Sequence, residues 1–102
     1  MNPIEKQEQR RREQLRRRLF SDAYLAGSLG WSDSQEMGVL AQLNMLDVTM
    51  QQVRNVLEYL EGLGLIQVER RAYEWHYKIT ALGCQVYEGN APWPVGISPR
   101  VL

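Results

Sequence analysis

At 102 residues with a single cysteine, the chain has the size of one small domain and cannot build an internal disulfide framework; with no Cys/His cluster either, neither metal nor cofactor is expected. The single cysteine points to a reducing compartment, the cytoplasm of a bacterial or infected cell; no apolar run approaches the roughly 20 residues of a membrane span, and the polar start has no apolar stretch behind it, which argues against a secretory signal. Net charge is zero, yet residues 1–20 carry seven Lys/Arg against three Glu, a balance of +4, and the rest of the chain carries the opposing −4. A basic arm on a mildly acidic body is found in nucleic-acid binders and on plain solvated helices alike.

Residues 4–26 read as a long first helix. From Glu5 to Gln14 it holds no apolar side chain, so this half has nothing to bury. The pairs Glu8–Arg12 and Glu13–Arg17 stand four apart with the acid first, the favourable order on a helix surface, each worth only about 0.2–0.5 kcal/mol. That leaves a fraying helix or a disordered arm, ordered by a partner. From Leu15 an apolar stripe begins (Leu15, Leu19, Ala23, Ala26, flanked by Phe20, Tyr24 and Leu25) and docks the second half on a core. Gly27 to Asp33 reads as a break. Ser32 and Asp33 are both candidate N-caps, with Gln35 and Glu36 three residues on. A second helix covers roughly Ser34 to Leu46, with Asn44 near its end.

Leu46-Asp47-Val48 makes a turn, and Thr49 opens the third helix with Gln52 in capping-box position. Met50, Val53, Leu57 and Leu60 form its apolar stripe, and Gly62 and Gly64 bracket its stop. Leu65, Ile66 and Val68 then give a short strand, Arg70 and Arg71 stand at or beside a turn, and Glu74 to Ile79 gives a second strand. Thr80 caps a short fourth helix, Ala81 to Tyr87, with Leu82, Val86 and Tyr87 facing inward and Gly89 at its end. The tail carries three prolines and so resists regular structure, but Trp93, Val95 and Ile97 argue against a bare solvated tail. They cover a face of their own domain or dock on another subunit.

A helix, a glycine stop and a β-hairpin in this order are the second half of a winged helix-turn-helix domain. The run VTMQQVRNVLEYLEGLGLIQV resembles winged-helix DNA-binding domains, including the arsenic-repressor-like regulators. A narrower resemblance, over about residues 37–100, is to small winged-helix proteins of Mu-like phages and prophages. It rests on Val53-Arg54, on Leu60-Glu61-x-x-Gly64-Leu65-Ile66, on Ile79-Thr80-Ala81-Leu82-Gly83, and on Glu88-Gly89 with a downstream Pro94-Val95-Gly96-Ile97. The arginine-rich start and Trp93-Pro94 depart from that pattern. The expected fold is mainly α with a small β-hairpin (α+β): a basic arm over 1–14, a winged helix-turn-helix domain over 15–89 and a Pro-containing tail over 90–102.

Catalysis has no foothold, and no enzyme is expected. His76 is the only histidine, and strand alternation sets it on the face opposite Trp75 and Tyr77. Cys84 has no neighbour in the sequence that would activate a thiol. Double-stranded DNA is the expected partner. In such domains the second helix of the motif enters the major groove with its N-terminal residues at base edges. Here those residues are Thr49, Gln51, Gln52, Arg54 and Asn55, of types that read adenine and guanine. Glu58 and Glu61 leave this helix net acidic, so phosphate contacts are assigned to Arg70 and Arg71 at the wing and to Arg10, Arg11, Arg12, Arg16, Arg17 and Arg18 of the arm. The opposing reading of Arg54 is an ion pair within the domain. A homodimer and a regulatory or accessory function complete the expectation. The competing reading is a winged helix used as a protein-interaction module in phage assembly or DNA packaging.

Overall fold

The computed structural model describes residues 2–99; Met1 and 100–102, the last three residues of the tail, lie outside the described residues. Helix α1 spans Pro3–Ala26 and is followed by a single 3-10 turn over Gly27–Leu29. Strand β1 (Trp31–Ser32) leads into α2 (Asp33–Gln42) and α3 (Met50–Gly62); β2 (Ile66–Arg70), β3 (Trp75–Ile79) and α4 (Ala81–Tyr87) follow. The result is an α+β protein with four helices and one three-stranded antiparallel sheet in the order β1-β3-β2. Among the described residues, no helix is long and apolar enough to cross a membrane.

Local chemistry explains most element ends. Asn2 caps α1 by accepting from the Glu5 amide, with Pro3 in the first helical position. Ser32 and Thr49 cap α2 and α3 through complete capping boxes with Gln35 and Gln52. Three helices stop by one device. Asn44, Gly64 and Gly89 take positive φ, and the next residue's amide reaches back to the carbonyls of Leu40, Leu60 and Gln85. At Asn44 this ends α2 at Gln42, four residues short of the expected Leu46, and leaves Leu43 and Leu46 exposed.

A second departure is β1. The two-glycine stretch read as a break in fact pairs Trp31 with Tyr77 and Ser32 with His76. Two residues after a glycine carry no strand periodicity, so only the partner strand makes this a strand. Gly30 permits the approach, because a β-carbon there would meet the His76 ring and the Tyr77 carbonyl. The alternation expected of β3 holds: Tyr77 is fully buried while His76 is half-buried on the outer side.

The core is built from Leu15, Leu19 and Phe20 of α1, Val53, Leu57 and Leu60 of α3, and Tyr77, with Ile97 of the tail inserted among them. Phe20 lies edge-on to Tyr87 at 5.3 Å and tilted to Trp93 at 5.5 Å, so the tail and α4 share one aromatic cluster with α1. Ile97 and Trp93 therefore pack on their own domain, whereas Val95 is 98% exposed. Leu82, expected inward on α4, is also exposed; buried Gly83 takes the inward place, pressed against the Leu65 carbonyl.

A β-carbon at Gly83 would collide with that backbone oxygen. Gly83→Ala should therefore cost about 1–3 kcal/mol in urea denaturation. Gly62→Ala, in open space within α3, should raise stability by up to about 1 kcal/mol. Equal stability of the Gly83 variant and the parent would mean that α4 does not seat so closely on the start of β2.

Candidate nucleic-acid interface

Burial of Val53, Val56, Leu57 and Leu60 turns the opposite face of α3 outward. Gln51, Asn55, Glu58 and Gly62, at spacings of four, three and four, make one exposed line along that face. Gln51 donates to the Asn55 side-chain oxygen at 2.8 Å, which presents the two amides as one unit. Thr49 and Gln52 are exposed too, but each side chain already bonds the other's backbone amide in the capping box. Their first duty is to the helix end. Gln52 keeps its amide NH2 group free for another acceptor.

Arg54 does not join the exposed line. It sits on the flank of α3 and donates to Asp33, whose side chain is wholly buried at the start of α2, at 2.8 Å. Its guanidinium also lies over the Trp75 ring, 4.9 Å from the centroid. This is the intradomain pairing that the sequence left open. Leaving Asp33 without its partner would strand a carboxylate away from water, so Arg54 is held in place by the core.

The hairpin arginines are likewise engaged. Arg70 makes a two-pronged contact with Glu61 at 2.8 and 3.3 Å, lies 3.7 Å from Glu58, and covers the Trp75 ring at 4.5 Å. Arg71 pairs with Glu69 at 3.1 Å. Both arginines are raised and both glutamates lowered in pKa, chiefly by these hydrogen bonds. The acids of α3 thus neutralise one hairpin cation, and Glu69 of β2 neutralises the other. Tyr73, in the turn between Arg71 and Glu74, is 95% exposed; nothing in the sequence separated it from an ordinary turn tyrosine.

The arm divides. Arg16 donates to the Gly96 carbonyl at 3.0 Å and covers the Tyr59 ring at 3.7 Å, holding the tail against α3. Arg18 lies 3.8 Å from Asp22 on its own helix. Arg11 reaches Asp47 at 3.2 Å, two residues before the Thr49 cap. Both Arg11 and Asp47 are exposed, so the pair adds little stability, but it records that α1 runs beside the N-terminal end of α3. Arg10, Arg12 and Arg17, with Lys6, have no ion pair or side-chain hydrogen bond among the described residues. They are unspent positive charge, and they lie on one helix.

The six arm positions and the base-reading set therefore do not converge as a whole. The arrangement sets an outward amide pair near the N-terminal, electropositive end of α3, beside which the Arg11–Asp47 contact holds α1, the helix that carries the uncommitted cations. It sets the hairpin arginines apart, Arg70 tied to acids at the far end of α3 and Arg71 to Glu69 of β2. Asp33, the partner that decides the fate of Arg54, gave no signal beyond being a candidate cap, because the contact joins residues 21 apart.

Comparison with models of protein families, with curated proteins and with solved structures finds no match to this chain.

Replacing Arg54 by Ala should cost about 3–5 kcal/mol, because it uncovers buried Asp33. Arg71→Ala, at an exposed pair, should leave the denaturation midpoint unchanged. Comparable small effects at both positions would show that Asp33 finds water or another donor.

Proposed function

We propose that the chain is a winged helix-turn-helix protein that binds double-stranded DNA, in keeping with its resemblance to the small winged-helix proteins of Mu-like phages. The order α1-β1-α2-α3-β2-β3, with β1 closing the sheet against β3, supports that fold reading. The observation that carries the binding reading is the exposed Gln51–Asn55 pair of α3, with α1, the helix that bears the unpaired Lys6, Arg10, Arg12 and Arg17, brought to the start of α3 by the Arg11–Asp47 contact. α3 enters the major groove with Gln51 and Asn55 toward base edges, since an amide side chain can both donate to and accept from adenine. Lys6, Arg10, Arg12 and Arg17 take phosphates, and counterions released from the duplex supply most of the affinity. The wing approaches the duplex through its exposed turn, with Arg70 and Arg71 bound to their own glutamates. A homodimer on a two-fold site, acting as a regulator or accessory factor in a bacterial host, completes this reading.

A second reading has a specific observation in its favour. The neutralised Arg54, Arg70 and Arg71 and the exposed Glu58 leave α3 and the hairpin without net attraction for phosphate. A domain whose recognition helix contacts another protein, as in phage assembly or DNA packaging, needs no such attraction.

Titration of labelled duplex DNA across a salt series separates the two. On the DNA reading, affinity falls steeply with salt, and replacing Arg10, Arg12 and Arg17 by Ala reduces the log–log slope by about 0.9 for each arginine removed. Replacing Arg71 leaves the slope as it was. Gln51→Ala combined with Asn55→Ala abolishes preference for a selected site but keeps nonspecific binding. If duplex DNA does not bind even at low salt, the interaction-module reading stands instead.

A further inference from the structure

Away from the exposed face, and independent of what binds there, a polar junction is buried where α1, α2 and β3 meet. Glu36 of α2 is fully buried. Its Oε1 accepts from the Tyr77 hydroxyl at 3.4 Å, and its Oε2 has no hydrogen-bond donor. Asp22 of α1 lies at hydrogen-bonding range of Glu36, and its Oδ2 is also buried without a donor. Arg18 stands 3.8 Å from that Asp22 oxygen. Asp33, one turn earlier on α2, is fully buried against Arg54 of α3.

These groups do not balance as charges. Three carboxyl groups (Asp22, Asp33, Glu36) face two guanidiniums (Arg18, Arg54), and Arg54 is spent on Asp33. The remaining ionisable neighbour is Tyr77, whose hydroxyl burial and the surrounding carboxylates hold protonated. His76 and Lys78 flank it on the outer side of β3 and bring no charge inward. One carboxylate would therefore sit out of water without a counter-ion, opposite another carboxylate. Two donorless oxygens on facing carboxyls are what a single proton between them would satisfy.

We propose that Glu36 is held as the neutral acid and shares its proton with Asp22, so that one buried proton latches α2 to α1. Burial first, and then the hydrogen bond and charge of Asp22, push the Glu36 carboxyl up to about 9. Tyr77 and Arg18 act in the opposite direction, as does the positive end of α2. Burial prevails because Glu36 has no contact with water that could solvate its charge. Loss of the proton sets two negative charges face to face. It thereby loosens the seat of α2, whose Asp33 in turn holds Arg54 and hence α3.

The sign of the pH dependence follows. The unfolded chain releases this proton near the ordinary glutamate value of 4.5, whereas the folded chain keeps it up to about 9. Between those values the folded state binds one proton more. The stabilising contribution is complete below the lower value and is lost progressively as pH rises toward the upper one.

The test compares unfolding equilibria of the parent chain and of Glu36→Gln from about pH 5 to about pH 9. Glutamine keeps the shape and a donor for Asp22 but has no proton to lose. Relative to the variant, the parent's folding constant should fall about tenfold for each pH unit; parallel profiles overturn the proposal. If that variant does not fold, carbon NMR of the Glu36 carboxyl in the parent chain decides. A protonated carboxyl signal at neutral pH that moves only near about pH 9 supports the shared proton. A carboxylate signal at neutral pH overturns it.

Discussion

Asp33 is a carboxylate with no access to water, and the contact with Arg54 is what makes its position tolerable. The pair joins the first turn of α2 to the middle of α3, and the same guanidinium reaches the Trp75 ring at the start of β3. Three elements thus depend on one ion pair for their relative placement. The pair also draws Arg54 away from the exposed line of α3. Structural demand and surface chemistry compete for the same side chain, and the buried charge wins because its desolvation is the larger energy.

The same competition runs through the rest of the cations. Arg70 is drawn to Glu61 and Glu58, Arg71 to Glu69, and Arg16 to the Gly96 carbonyl above Tyr59. What remains uncommitted is concentrated on α1, with Lys6, Arg10 and Arg12 in the polar half that buries nothing and Arg17 just beyond it. That half was open to reading as a frayed arm; it is helical from Pro3 onward, with Asn2 capping it. Ser98 donates to the Glu13 carbonyl and Arg16 holds Gly96, so the tail braces α1 where its exposed half begins. A braced helix holds its cations at fixed spacing, which a disordered arm would not do.

Much of the fold could be read from local chemistry. The caps at Thr49 and Thr80, the stops at Gly64 and Gly89, and the hairpin were each carried by residues within a few positions of one another. The misses share a cause. β1 exists only because β3 lies beside it. α2 stops early because Asn44 adopts a left-handed conformation, which asparagine tolerates but does not announce. Leu82 gave way to Gly83 because the constraint is the distance between two backbones, not hydrophobicity. At the surface, Gln51 and Asn55 were legible as outward residues, and the fate of Arg54 was not.

The sequence by itself determined the element types and most of their boundaries, the basic first helix and the composition of α3's outer face. These depend on periodicity, capping and charge within one stretch of chain. Only the tertiary structure decided which cations are free. An arginine's availability is set by whether a carboxylate lies within about 4 Å of it, and the acids that claim Arg54, Arg70 and Arg11 stand 21, 9 and 36 residues away. The buried junction of Asp22, Glu36 and Tyr77 is of the same kind. Its parts come from α1, α2 and β3, and only the fold brings them out of water and together.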